Sequence, residues 1–163
     1  MASVILCVDD DKTVLTALRT LLANTIGANC RVEIAECGQE ALEIVDDYAA
    51  EGKVVDVVIS DFIMPKMRGD ELLVRLHERN PGMVKILLTG QSDFSGVKRV
   101  INEANLYRFI EKPFKNADLV LTAKTAMESR VTEGALRDEI AALKRRIAEL
   151  EVQLSSSGKR AAA

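Results

Sequence analysis

Residues 54–65 read Val54-Val55-Asp56-Val57-Val58-Ile59-Ser60-Asp61-Phe62-Ile63-Met64-Pro65. The apolar residues among Val54 to Ile59 describe a strand buried on both faces, as found inside a parallel sheet. The run stops on a carboxylate, Asp61, and Pro65 and Gly69 then turn the chain into a loop ahead of a helical pattern. A carboxylate at the end of a buried strand either caps the turn into a helix or stands in the crevice where open α/β sheets bind ligands. The stretch alone leaves both readings open.

Working outward, the same unit recurs. Ser3 to Val8 is a first strand, ending on Asp9-Asp10-Asp11, and Val14, Leu15, Leu18, Leu21 and Leu22 follow at helical spacing. Asp11 or a neighbour is placed to cap that helix, and the segment Asn24 to Asn29, with Gly27, ends it. Arg31 to Ala35 alternates as a second strand, and Gly38 to Tyr48 is an amphipathic helix. After the central strand come a helix over Asp70 to Arg79, stopped by Asn80-Pro81-Gly82, and a strand over Val84 to Leu88 ending on Thr89-Gly90. A weaker helix spans Val97 to Glu103. Leu106 to Ile110 is a fifth strand, ending on Glu111-Lys112-Pro113-Phe114, and a long helix begins near Asn116. Strand and helix alternate five times, the pattern of an α/β fold whose doubly wound parallel sheet carries helices on both faces.

Composition narrows the class. The chain has 163 residues, 48% of them hydrophobic, enough for one domain and an appendage. Net charge is −3, which gives no support to nucleic-acid binding. No apolar run approaches the ~20 residues that span a bilayer, and no secretory signal is visible, so a cytoplasmic protein with no membrane partner is expected. Cys7, Cys30 and Cys37 lack metal-ligand spacing and read as reduced thiols. His77, the only histidine, sits among polar residues and is expected to be exposed rather than catalytic.

The strand ends carry the chemistry. Asp9 and Asp10 follow the first strand, Asp61 the third, Thr89 the fourth and Lys112 the fifth. In a doubly wound sheet these side chains can meet in one crevice. Carboxylates gathered in a small volume repel one another unless a cation intervenes; Lys112 supplies one charge, and an oxygen-ligated divalent ion such as Mg2+ suits the rest.

Val8-Asp9-Asp10, Asp61 with Pro65 and Gly69, Thr89-Gly90 and Lys112-Pro113-Phe114, in this order and separation, resemble the receiver domain of two-component response regulators, over residues 3 to 126. The resemblance implies a flavodoxin-like fold and a phospho-acceptor, Asp61, that attacks the phosphohistidine of a sensor histidine kinase or phosphotransfer protein. It implies that Asp10, Asp61 and the backbone carbonyl of Ile63 bind Mg2+, with Asp9 assisting through water. Thr89 would bond the new phosphoryl oxygens, and Lys112 would pair with Asp61 before transfer and with the phosphoryl group after it. Thr89 and Phe109 would form the switch pair, with plain core packing the alternative for Phe109. Ile63 and Gln91 would flank the site and tune hydrolysis of the aspartyl phosphate.

From Leu136 the pattern changes. Leu136, Ile140, Leu143, Ile147, Leu150 and Leu154 alternate spacings of four and three, a heptad seam with Ile at a and Leu at d. That choice favours a parallel dimer, and Glu139 at g would face Lys144 at e of a second chain, as Arg146 would face Glu151. One amphipathic helix packed on its own domain is the alternative. The expected organisation is a receiver over 1–126, a helical coiled-coil extension over 127–154 with a hinge at Gly134, and a disordered Ser/Gly/Ala-rich tail over 155–163. The expected function is a phosphorylation-gated regulator with no output enzyme, acting on a downstream protein or on an output domain outside this chain. Two alternatives stand beside it. Asp9 and Asp11 fit the D-x-D-x-T pattern of haloacid-dehalogenase-type phosphatases, although that reading leaves Asp61 idle; the chain could also be a dimerisation scaffold that no longer signals.

Overall fold

A computed structural model describes residues 3–27, 30–90 and 94–161, with side chains through 156. Its elements are β1 (Ser3–Val8), α1 (Lys12–Ile26), β2 (Cys30–Ala35), α2 (Gly38–Ala50), β3 (Val57–Asp61), α3 (Gly69–Arg79), β4 (Val84–Thr89), α4 (Phe94–Ala104), β5 (Arg108–Glu111) and α5 (Asn116–Ala161). The strands form one parallel sheet in the order β2-β1-β3-β4-β5. Successive side chains point to opposite faces, so each strand feeds two cores. Ile5, Cys7, Ile59, Ile86 and Leu88 pack with Leu15, Leu18 and Leu22 of α1 and Leu119 and Ala123 of α5. Leu6, Val8, Val58 and Leu87 pack on the other face with α2, α3 and α4. Burial on both faces makes the central strands apolar throughout and brings their carboxyl ends together at one rim.

The sequence places the start of the central strand too early. The strand begins at Val57, and Val54 is 49% exposed. Asp56 accounts for this: its carboxylate accepts the Val4 N–H at 2.9 Å and lies 3.7 Å from Arg130 Nε. A charged residue entering the sheet needs such partners; ahead of it Val55 is buried in the core and the exposed chain ends at Val54. The fifth strand likewise starts at Arg108 rather than Leu106. His77 is only partly exposed, against expectation. It lies on α3 with Nδ1 buried and without a hydrogen-bond partner, and burial, with Lys85 nearby, lowers its pKa.

Lys85 is fully buried, its ammonium donating to the Met83 carbonyl at 2.7 Å. Burial, reinforced by Arg130, lowers its pKa from 10.5 to about 8. Between those values the unfolded chain holds a proton that the folded one has lost. Lys85 therefore penalises the fold below pH 8 and is relieved as pH rises towards 10.5. Lys85→Met is expected to stabilise the protein by about 1–3 kcal/mol at pH 7. The gain should shrink as pH rises through that window, which denaturant unfolding of both proteins will show.

Contacts divide the chain into two compact units, Met1–Arg130 and Val131–Ala163. The second is helical as far as described. The helix runs through Gly134, around which a Cβ would meet nothing within 4 Å, so no break stands at the expected hinge. It also continues to Ala161, where a disordered tail from Ser155 was expected. Extending a formed helix fixes one residue per added bond, and Ser155 and Ser156 turn their hydroxyls back onto the carbonyls of Val152 and Gln153. Leu136, Ile140, Leu143, Ile147, Leu150 and Leu154 are all exposed in the single chain.

Candidate functional site

Asp9, Asp61, Thr89 and Lys112 converge because their strands are neighbours. Asp61 is the last residue of β3, in register with Leu88, and Thr89 ends β4 in register with Glu111. Backbone bonds carry the ladder past the strand ends: Phe62 N–H donates to Leu88 O at 2.8 Å, and Lys112 N–H to Thr89 O at 2.7 Å. Lys112 is thereby aimed back across the rim. Its Nζ lies 2.6 Å from Asp61 Oδ1 and 3.7 Å from Asp9 Oδ2. Thr89 is buried and its hydroxyl donates to the Gly90 carbonyl at 2.8 Å, a local bond that a better acceptor can replace.

Asp9, Asp10 and Asp61 offer carboxylate oxygens within 4.8 Å of one another. Asp9 and Asp61 are buried, whereas Asp10 faces solvent. Asp9 Oδ1 accepts the Asp11 N–H at 2.9 Å, while its buried Oδ2 has no hydrogen-bond partner. Burial raises the Asp9 pKa, and the charges of Asp61 and Asp10 add to this, opposed by the Asp11 N–H and Lys112. Three hard oxygen donors, one of them an unsatisfied buried atom, fit a divalent cation of the Mg2+ or Ca2+ type. Asp11 is occupied elsewhere: its Oδ1 accepts from Thr13 N at 2.8 Å and Val14 N at 3.4 Å, capping α1.

Residues 5–124 match the response regulator receiver domain family. The chain belongs to that family. The receiver is 31% identical over 129 residues to the sensor kinase CckA of Brucella abortus, covering 79% of this chain and 13% of that protein. It is 30% identical over 130 residues to the hydrogenase transcriptional regulatory protein HoxA of Cupriavidus necator, covering 80% of this chain and 25% of that one. The chain thus spans a quarter or less of these curated relatives. Among solved structures, the signal receiver domain of an HD domain-containing protein from Pseudomonas fluorescens Pf-5 superposes with a TM-score of 0.71 at 31% identity, covering 81% of this chain and 99% of that domain. The receiver's phospho-acceptor class rests on this kinship and on the clustered carboxylates. No described helix is long and apolar enough to cross a membrane.

The remaining expected positions are more dispersed. Ile63 turns its side chain outward, 67% exposed. Phe109 lies on the edge strand β5, in register with Leu87 and 42% exposed, so plain core packing does not describe it. Gln91 lies outside the described residues. By sequence alone Gly69 is only a loop former. Its N–H donates to Phe62 O at 2.9 Å, and an added Cβ would collide with the Asp61 carbonyl oxygen. Nothing in the sequence marks Phe62, Arg68, Asp70, Gly96 or Arg99 as functional. They gather behind the acceptor loop, and no local pattern links residues so far apart in the chain.

Proposed function

We propose that this receiver, acting in the cytoplasm, takes a phosphoryl group on Asp61 from the phosphohistidine of a sensor histidine kinase or phosphotransfer protein, and that the change passes through the last helix to a coiled-coil homodimer. One observation carries the reading: a lysine ammonium sits 2.6 Å from a strand-end aspartate that shares its crevice with two further carboxylates. An Asp61 oxygen attacks phosphorus, the P–O bond forms as the P–N bond to the imidazole breaks, and the histidine leaves carrying a proton. Such transfer depends on positioning and charge neutralisation more than on covalent machinery. Asp10 and Asp61, with the Ile63 carbonyl and with Asp9 through water, would hold Mg2+, which when bound offsets the charge of the phosphoryl oxygens. Lys112 transfers its pairing from Asp61 to the phosphoryl group. Thr89 turns its hydroxyl from Gly90 to a phosphoryl oxygen, and Phe109 follows it inward from its exposed position. Ile63 and Gln91 border the site and set the lifetime of the acyl phosphate.

Acetyl phosphate with Mg2+ is expected to add one phosphoryl group to the intact protein, mapped to Asp61 by peptide mass spectrometry. A group found on Asp9 instead would return the phosphatase alternative. The helix cap made by Asp11 and the start of α1 at Lys12 already weigh against that alternative. The reactive side chains gathered at the rim likewise weigh against a silent scaffold.

The exposed seam argues for the dimer. In a parallel pair Glu139 meets Lys144 of the partner subunit and Arg146 meets Glu151 of the partner subunit, both attractive. An antiparallel pair centred on this region would set Arg146 against Arg146 of the partner subunit and Lys144 against Lys144 of the partner subunit. Glu139→Lys is therefore expected to weaken the dimer by about 1 kcal/mol, roughly fivefold in Kd, by sedimentation equilibrium. Adding Lys144→Glu should restore it, which an antiparallel pairing would not do.

A further inference from the structure

Phe62 follows the acceptor directly, and its position is determined from several sides. Its N–H and carbonyl are held by Leu88 and Gly69. Its buried ring lies against α4 at Gly96, so close that a Cβ on Gly96 would overlap the ring edge and stand 3.2 Å from Arg68 Nη2. The Arg68 guanidinium covers the ring, 4.6 Å from its centroid. Arg68 is itself gripped by Asp70, with Nε and Nη2 at 3.2 and 3.3 Å from the two carboxylate oxygens. The Asp70 side chain is only 7% exposed, and its Oδ2 also faces Arg99 Nη1 of α4 at 3.8 Å. The loop behind Asp61 is thus clamped to α4 twice, by ring against glycine and by a carboxylate shared between two arginines.

We infer that Arg68, Asp70 and Arg99 are positioning residues that let α4 set the shape of the acceptor loop, and with it the capture of a divalent cation at Asp61. The inference rests on the reading of the carboxylate crevice as a metal site. A ligand set is useful only while its supporting contacts hold it within a fraction of an ångström. Residues 62–69 carry the Ile63 carbonyl assigned above to that set, and their buried side chains are Phe62 and Met64. Loosening α4 from Phe62 should therefore loosen the loop without touching a ligand.

Charge and geometry make opposite forecasts for Arg99→Gln, which gives the test its force. Arg99 pairs with Asp70 and Glu103, and removing its positive charge should, by electrostatics alone, leave a divalent ion bound as tightly or more tightly. Releasing the clamp should weaken it. Titration calorimetry of the full chain with Mg2+ is expected to show a three- to tenfold higher Kd for Arg99→Gln, with a similar loss for the uncharged change Gly96→Ala. Amide exchange at Phe62 and Gly69 should be faster in both variants. Arg75→Gln, which breaks an exposed pair with Glu71 on α3, should leave Kd unchanged. An unchanged or tighter Kd for Arg99→Gln would overturn the inference even if the variant were less stable, because a merely structural contact lowers stability and leaves the folded site's affinity alone. Should Gly96→Ala fail to fold, Arg99→Gln still decides. Wild-type protein that takes up no Mg2+ would overturn the metal reading itself, whereas phosphorylation at Asp61 is read separately by mass spectrometry.

Discussion

Gly69→Ala is expected to unfold at a urea midpoint well below the wild type, with a loss of about 3 kcal/mol or more. The reason is steric and local. An alanine Cβ would collide with the Asp61 carbonyl oxygen, 2.9 Å from its carbon and 3.0 Å from Phe62 Cα. All these atoms are backbone, so no rotamer can relieve the overlap. The first turn of α3 must draw away from the end of β3, breaking the Gly69 N–H to Phe62 carbonyl bond. Phosphorylation by acetyl phosphate should fall together with stability, because the overlap falls on the backbone of the acceptor itself. Gly134→Ala gives the opposite sign. Nothing lies within 4 Å of the added methyl, so it gains helix propensity of about 1 kcal/mol. Equal effects of the two substitutions would show that the α3 approach is not as tight as described.

Lys112→Met is expected to slow phosphorylation of Asp61 by roughly 10²–10³-fold, as loss of a preorganised charge at a reacting oxygen does elsewhere. The same change should tighten Mg2+ binding by roughly tenfold, since a charge now 2.6 Å from Asp61 and 3.7 Å from Asp9 no longer competes with the ion. The two effects have opposite signs, which separates a catalytic lysine from a merely structural one. A structural lysine would let the crevice spread, and affinity and rate would fall together. Calorimetry with Mg2+ and the initial rate with acetyl phosphate at saturating Mg2+ measure the two quantities independently. Methionine keeps the length of the stem, so packing along the rim is preserved.

Much of this protein was legible in the chain itself. Alternating strand and helix patterns determined a parallel doubly wound sheet, because strands buried on both faces must be apolar throughout and helices must show one apolar stripe. Asp9, Asp10, Asp61, Thr89 and Lys112 could be picked out because each stands where an apolar run ends, and parallel strands gather such ends at one rim. The heptad spacing from Leu136 was equally plain, being a one-dimensional periodicity. Boundaries were less so: Val54 looks like strand until Asp56 is seen to need the Val4 N–H and Arg130. The sequence also left His77 on the surface and ended the helix at Ser155, because burial by distant segments and helix propagation are not local properties.

Only the tertiary structure decided which atoms meet. It chose Asp61 over Asp9 as the closer partner of Lys112, left one oxygen of Asp9 buried without a hydrogen bond, and showed Gly69 and Gly96 to be points where backbone must pass backbone or ring at close range. It also joined Arg68, Asp70 and Arg99 around one carboxylate. Composition and periodicity constrain the face on which a residue lies. Distances between residues thirty or fifty positions apart arise when the sheet is wound and its helices pack, and the chemistry of the crevice depends on those distances.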